Sequence, residues 1–135
     1  MMTGETSLDK LLKTMKPTLN AGDYVYSTTK DLKQLNISDI ILFFREEEGF
    51  TVVIEKKVAD SINFEYTFIA SWITLAVHSS LEAVGLTAAF SNALTNENIS
   101  CNVVAGYFHD HIFVDKKDTE NALLVLNRFS EKQNV

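Results

Sequence analysis

Three histidines, a single cysteine and a cluster of serines carry most of the reactive chemistry in this chain. His109, Asp110 and His111 stand side by side in "AGYFHDHIFV", with Cys101 shortly before them, and His78 adjoins Ser79 and Ser80. Imidazole, thiolate and carboxylate together would suit zinc. A histidine beside a serine would suit a base and a nucleophile.

Spacing weighs against both. If Cys101 to Phe108 is one strand and His111 to Val114 the next, His109 and Asp110 form the turn, where aspartate is at home. Cys101 then lies about 26 Å along the strand from His109, at roughly 3.3 Å per residue. A Cys-His-His metal site fails on that distance. His78 could still meet His109, Asp110 and His111 at one sheet edge, but metal ligands need fixed geometry and hydrogen-bonded support. No metal or other cofactor is therefore expected. Neighbours in a strand point to opposite faces, and no carboxylate is placed to orient His78 toward Ser79 or Ser80. The Gly-x-Ser-x-Gly, Cys-x-x-Cys, P-loop and dinucleotide patterns do not occur. The expectation is a protein without catalytic residues.

The elements that must position these residues belong to a small acidic chain. Its 135 residues suit one compact domain or two small halves sharing a core. A net charge of -6, with no basic run, disfavours a nucleic-acid partner. One cysteine rules out an internal disulfide and fits a reducing compartment. The polar start "MMTGETSLDKLLKTMKP" lacks a signal-peptide core, and "FIASWITLAV" is too short to span a membrane. The cytoplasm is the expected location, with no membrane partner.

Along the chain, Ser7 can cap a helix carrying Leu8, Leu11, Leu12 and Met15 on one face, which Pro17 stops. A turn and a strand around Asp23 to Thr29 follow, then a polar loop, "DLKQLNISD". Ile40–Phe44 and Phe50–Ile54 read as a hairpin around a charged turn. In that turn Arg45, Glu46, Glu47 and Glu48 read as solvated charge in preference to a cation or amine site. "KKVADSIN" reads as a short helix.

The run from Phe64 to His78 is apolar first at even positions (Phe64, Tyr66, Phe68) and then at odd ones (Ile69, Ile73, Leu75, Val77). A strand has period two, so this phase flip implies a bend or a change of sheet. Such a run would reach about 50 Å if it were continuous. It should pass from one half of the molecule to the other near Ala70 and Ser71. A loop, "SSLEAVG", leads to a helix burying Leu86, Ala89, Phe90, Ala93 and Leu94. "SCNVVAGYF" and "HIFVD" are strands. A last helix, with Asp118 as its cap, turns Ala122, Leu123, Leu126 and Phe129 inward.

From residue 71 the order is β-α-β-β-α, a ferredoxin-like α/β sandwich lacking its last strand. An open sheet edge is normally covered, so the missing strand should come from the first half or from a second chain. The fold class expected is α+β: two interlocked, related subdomains, residues 1–68 and 69–135.

The block "SWITLAVHSSLEAVGLTAAFSNALTNENISCNVVAGYFHDHIFVDKKDTENALLVLN" resembles an ACT domain. The first half, "GETSLDKLLKTMKPTLNAGDYVYSTT" with "FREEEGFTVVIEK", is similar to the N-terminal partner in small bacterial tandem ACT proteins. The resemblance implies a regulatory module that binds an amino acid near the loop after the first strand, His78 to Thr87, with Asn102 and Val103 facing it. ACT domains usually sit beside an enzyme or a DNA-binding domain; this chain contains neither.

The residues of that loop give an independent reason. A helix starting near Leu86 aims its first N–H groups and its dipole at the loop, which favours a carboxylate. Gly85 permits a close approach. Ser79, Ser80 and Thr87 offer hydroxyls, and Glu82 can accept an ammonium group. The simpler use of Ser80 or Thr87 is to cap the helix. The ligand-binding set is Ser79, Ser80, Leu81, Glu82, Val84, Gly85, Leu86, Thr87, Asn102 and Val103. The expected partners are an amino acid or similar small molecule and a second copy in a homo-oligomer. The competing reading is a ligand-free dimerisation or adaptor module, in which an exposed Trp72 would anchor the partner.

Overall fold

The computed structural model describes residues 8–76 and 84–131. The chain forms two compact units. One is made of residues 1–20 and 72–135, the other of residues 21–71.

The discontinuous unit begins with helix α1, Leu8–Thr14. Its apolar stripe buries Leu11, with Leu8 and Leu12 packed against the same core and Met15 fully buried just past the helix. Strand β1, Lys16–Leu19, follows directly. The sequence reading had only a helix stop at Pro17 there. Proline lacks a ladder donor and is tolerated in strands mainly at edges. β1 is such a strand, pairing antiparallel with one neighbour, Lys16 opposite Ala76 and Leu19 opposite Ile73.

That neighbour is β5, Phe68–Ala76, whose residues from Trp72 onward lie in this unit. Helix α3 (Leu86–Asn96), strands β6 (Cys101–Ala105) and β7 (Asp110–Asp115) and helix α4 (Thr119–Glu131) complete it. The strand order β1-β5-β7-β6 is ferredoxin-like. The strand missing from the β-α-β-β-α pattern is thus supplied by the same chain, from the N-terminal segment.

The core lies between sheet and helices. Ile73, Leu75, Ile112 and Val114 meet Leu86, Phe90 and Leu94 of α3 and Ala122, Val125 and Leu126 of α4. A fully buried aliphatic or aromatic side chain contributes about 1.5–3 kcal/mol. Asp118, expected as the cap of α4, ends a 3-10 turn, Lys116–Asp118, that leads into the helix.

The contiguous unit contains β2 (Tyr24–Thr29), β3 (Ile40–Arg45), β4 (Phe50–Glu55), helix α2 (Lys56–Ser61) and the first residues of β5. Its strand order is β3-β4-β2-β5. The expected hairpin is β3–β4, closed by backbone bonds between Glu46 and Gly49. A 3-10 turn, Ile37–Asp39, lies in the polar loop. The core here gathers Val25, Leu35, Val52, Ile54, Ala59 and Phe64.

The phase flip sits where the sequence placed it. Ala70 and Ser71 are consecutive and both buried, after which burial alternates through Ile73 and Leu75. Residues before the flip pair with β2 and residues after it with β1. Among the described residues, no helix is long and apolar enough to cross a membrane.

Candidate functional site

The sequence places its ligand site at the start of α3. Gly85 is the residue before the helix and has φ 93°. A residue with a side chain pays a steric penalty in this left-handed region. A Cβ at Gly85 would also come within 3.3 Å of Leu8 Cδ2. Glycine therefore lets the chain enter the helix here against α1. No described side chain caps the helix. Thr87, the candidate cap, is exposed in the first turn. The Gly85 carbonyl accepts from Ala89 N–H. The N–H groups at the helix start, which have no intrahelical acceptor, lie beside the positive end of an eleven-residue helix.

The other predicted residues separate. Leu86 is buried in the core and Val84 is exposed. Asn102 and Val103 are neighbours in β6 and face opposite ways. Val103 packs against the core, while Asn102 is exposed and donates to Phe113 O at 3.3 Å. Ser79, Ser80, Leu81 and Glu82, together with His78 and the cap candidate Ser7, lie outside the described residues.

The histidine pair is arranged differently from the sequence reading. β6 ends at Ala105, and the turn is Gly106–His109, closed by Gly106 N–H to His109 O at 2.9 Å. Asp110 already belongs to β7, opposite Ala105. The turn falls at Gly106 because the chain folds back so tightly there. A Cβ at Gly106 would sit 2.8 Å from His109 O. Tyr107 and Phe108, read as strand residues, form the exposed tip, edge-to-face at 5.0 Å.

His111 points to the sheet face opposite the helices. Trp72 Nε1–H donates to its Nδ1 at 3.0 Å, and Thr74 Oγ1 lies 3.1 Å from the same nitrogen. Asn20 Nδ2–H donates to Thr74 Oγ1 at 2.9 Å, and Trp72 stacks on buried Phe113 at 6.1 Å. An imidazole that accepts at Nδ1 carries its proton on Nε2. Neither nitrogen then keeps a free lone pair for a metal or a substrate. Burial, helped by His109 and opposed by Asp110, holds His111 below the ordinary histidine range. Burial pushes the Asp110 carboxyl up, with His111 and His109 opposing. Among the described residues no group of three or more His, Cys, Asp or Glu is disposed to hold a metal.

Sequence reasoning missed this network. The alternation of His111 and Phe113 with Ile112 and Val114 was the available signal, but Asn20 sat between the helix stop at Pro17 and the next turn, where no element was read. Trp72 is half-buried, with its ring and its N–H engaged inside the unit.

The contiguous unit has an open cleft of about 450 Å³ bordered by Gly22, Asp23, Glu55, Lys56, Lys57 and Asp60. Its charges pair among themselves, Lys56 with Asp60 at 2.9 Å and Lys57 with Glu55 at 3.4 Å. Hydrogen bonds from Lys56 and Tyr66 hold the Asp60 carboxyl below its usual range. Among the described residues, no buried side-chain polar atom lacks a partner.

Two family models, each described as ACT domain, match residues 3–71 and 68–128. The chain belongs to the ACT-domain family. Its mixed α+β, antiparallel architecture is consistent with the ferredoxin-like ACT fold, and the matches indicate no catalytic family. A Vibrio cholerae protein of unknown function, described as a possible transport protein, is 47% identical over 91% of this chain and 95% of that one, with a TM-score of 0.79. The aspartokinase alpha and beta subunit structure shares the fold at 14% identity and a TM-score of 0.59, covering 84% of this chain and 95% of that one. A Clostridium acetobutylicum aspartate kinase, described as an allosteric enzyme, shares it at 13% identity and a TM-score of 0.59, over 87% of this chain and 34% of that one. No match was found among curated proteins. ACT domains are generally regulatory modules for small ligands.

Proposed function

We propose that this chain is a non-catalytic regulatory module whose ligand is an amino acid, held at the segment from Ser79 to Thr87 by its α-carboxylate. The supporting observation is the start of α3, where a left-handed Gly85 takes the place of a capping side chain. The first N–H groups and the helix dipole then favour an anion. Glu82 is assigned the α-ammonium group. Val103 supports the site through the core, whereas Asn102 lies on the other face of β6, opposite Phe113 of β7, and is left out of it. The chain works in the cytoplasm as a homo-oligomer, and ligand binding alters an interface.

The test is a thermal-shift screen of the purified chain against the twenty amino acids, with hits confirmed by calorimetry. A ligand that binds only the folded state stabilises it by about 2.7 kcal/mol at a hundred times its dissociation constant. Thr87→Asp is the discriminating variant. A carboxylate in the first helical turn should stabilise the free protein by about 0.3–1 kcal/mol and should repel the ligand carboxylate. The expected result is a more stable protein that no longer responds. A flat screen of the native chain would transfer the assignment to the ligand-free interaction module. Gly85 is a poorer choice for mutation, because any side chain there is strained before a ligand is considered.

A further inference from the structure

His111 is held from two sides on the sheet face opposite the helices. From β5, Trp72 Nε1–H donates to Nδ1 at 3.0 Å, and Thr74 Oγ1 lies 3.1 Å from the same nitrogen. The indole and imidazole centroids are 5.7 Å apart. On the other side lies the β6–β7 turn. A Cβ on Gly106 would stand 3.2 Å from His111 Nε2 and 3.3 Å from its Cδ2. The ring therefore has little room to swing away, and a change in its proton state has to be met by its partners. The two partners at Nδ1 are not equivalent. An indole N–H only donates, whereas a hydroxyl donates once and accepts through two lone pairs. Thr74 Oγ1 accepts from Asn20 Nδ2 at 2.9 Å, which leaves it a second lone pair.

We propose that His111 is a proton-operated switch that exchanges Trp72 for Thr74 as the partner of Nδ1. With neutral imidazole, Nδ1 accepts from Trp72. With imidazolium, Nδ1 carries a proton and donates it to the second lone pair of Thr74 Oγ1. The N–H groups of His111 and Trp72 then oppose each other as two donors. Trp72 loses the bond that sets its ring beside His111 and against buried Phe113, on which it stacks at 6.1 Å. The proton is thus read out as the position of an aromatic side chain on this face of the sheet. Burial opposes the proton, His109 adds to that opposition, and Asp110 favours it. Trp72 and Thr74, which meet the ring from β5, do not titrate, nor does Asn20 behind Thr74, and Gly106 brings no side chain. The inference does not depend on an amino-acid ligand, and its test uses none.

The test is heteronuclear NMR of the full chain between about pH 7.5 and 5, with circular dichroism as the folding control. Trp72 is the sole tryptophan, so a single indole N–H resonance reports on it. That resonance is expected to shift in one step, together with the His111 ring carbons, at a midpoint below the ordinary histidine value of about 6.5. His111→Gln should remain folded and hold the indole resonance still. His109→Gln should keep the step and move its midpoint up, because an opposing charge is gone. Thr74→Val removes the acceptor of the protonated state and should weaken proton binding at His111 about tenfold. An indole resonance that stays in place while the His111 ring titrates overturns the switch. So does a step that survives His111→Gln or is lost in His109→Gln, or a Thr74→Val midpoint that stays or rises. A step that appears only as the folded signal is lost overturns it as well.

Discussion

His111 accepts from Trp72 at Nδ1 and lies beside the Thr74 hydroxyl. A proton on Nδ1 removes that acceptor, so the bond requires neutral imidazole. Burial, with His109 adding to it, places the native pKa below the unfolded one. The unfolded chain therefore takes up its proton first as pH falls. Stability is full above the unfolded value of about 6.5 and declines as pH drops through the window between that value and the lower native one. Asp110 has the opposite sign, since burial raises its native pKa and the native state gains relatively by protonation. The two contributions are separated by His111→Gln, which can accept from Trp72 but does not titrate. Urea denaturation between about pH 7.5 and 5 should show a steeper loss for the native chain than for this variant. Parallel curves would assign the pH dependence to other groups.

At the scale of elements, α1 and β1 matter most, because they complete a sheet and core whose other residues come from residue 72 onward. Met15 is fully buried among Ile73, Leu75 and the α4 residues of that core. Met15→Ala should therefore cost about 2–5 kcal/mol. Hydrogen exchange should speed up in the Ile73–Ala76 stretch that β1 protects. Loss confined to residues 8–20 would mean that β1 is a dispensable cover. The inward face of α1 was legible, because Leu8, Leu11, Leu12 and Met15 repeat at helical spacing. The strand after it was not. Four residues containing a proline carry too little alternation to declare a strand, and β1 owes its conformation to pairing with β5. The β6–β7 turn was misplaced for a related reason. Phe108 reads in the sequence as the last residue of a strand, whereas the tight return at Gly106 puts it at an exposed tip. At the candidate site, periodicity and Gly85 marked the start of α3. The Trp72–His111 contact depends on which strands lie side by side, which no local pattern encodes.

For the molecule as a whole, the chain leaves one unit after Asn20 and returns to it at Trp72, having built the other unit in between. A single strand, β5, contributes residues to both units, and the change of burial phase at Ala70 and Ser71 falls where it passes from one to the other. The pairing of β1 with β5 and the packing of Leu11 and Met15 into the core therefore join residues far apart in sequence, and such contacts form only after a large loop is closed. The consequence can be tested by cutting the chain. Residues 72–135 alone lack Leu11 and Met15 from the core and leave the β1 side of β5 without its partner. Expressed alone, this fragment should show no cooperative thermal transition. Addition of a peptide covering residues 1–20 should restore one, with a midpoint that rises with peptide concentration, because the peptide binds only the folded form. A fragment that unfolds cooperatively without the peptide would show that the C-terminal β-α-β-β-α segment closes its own sheet. The strand supplied from the N-terminal segment would then be an addition to that fold, with no part in specifying it.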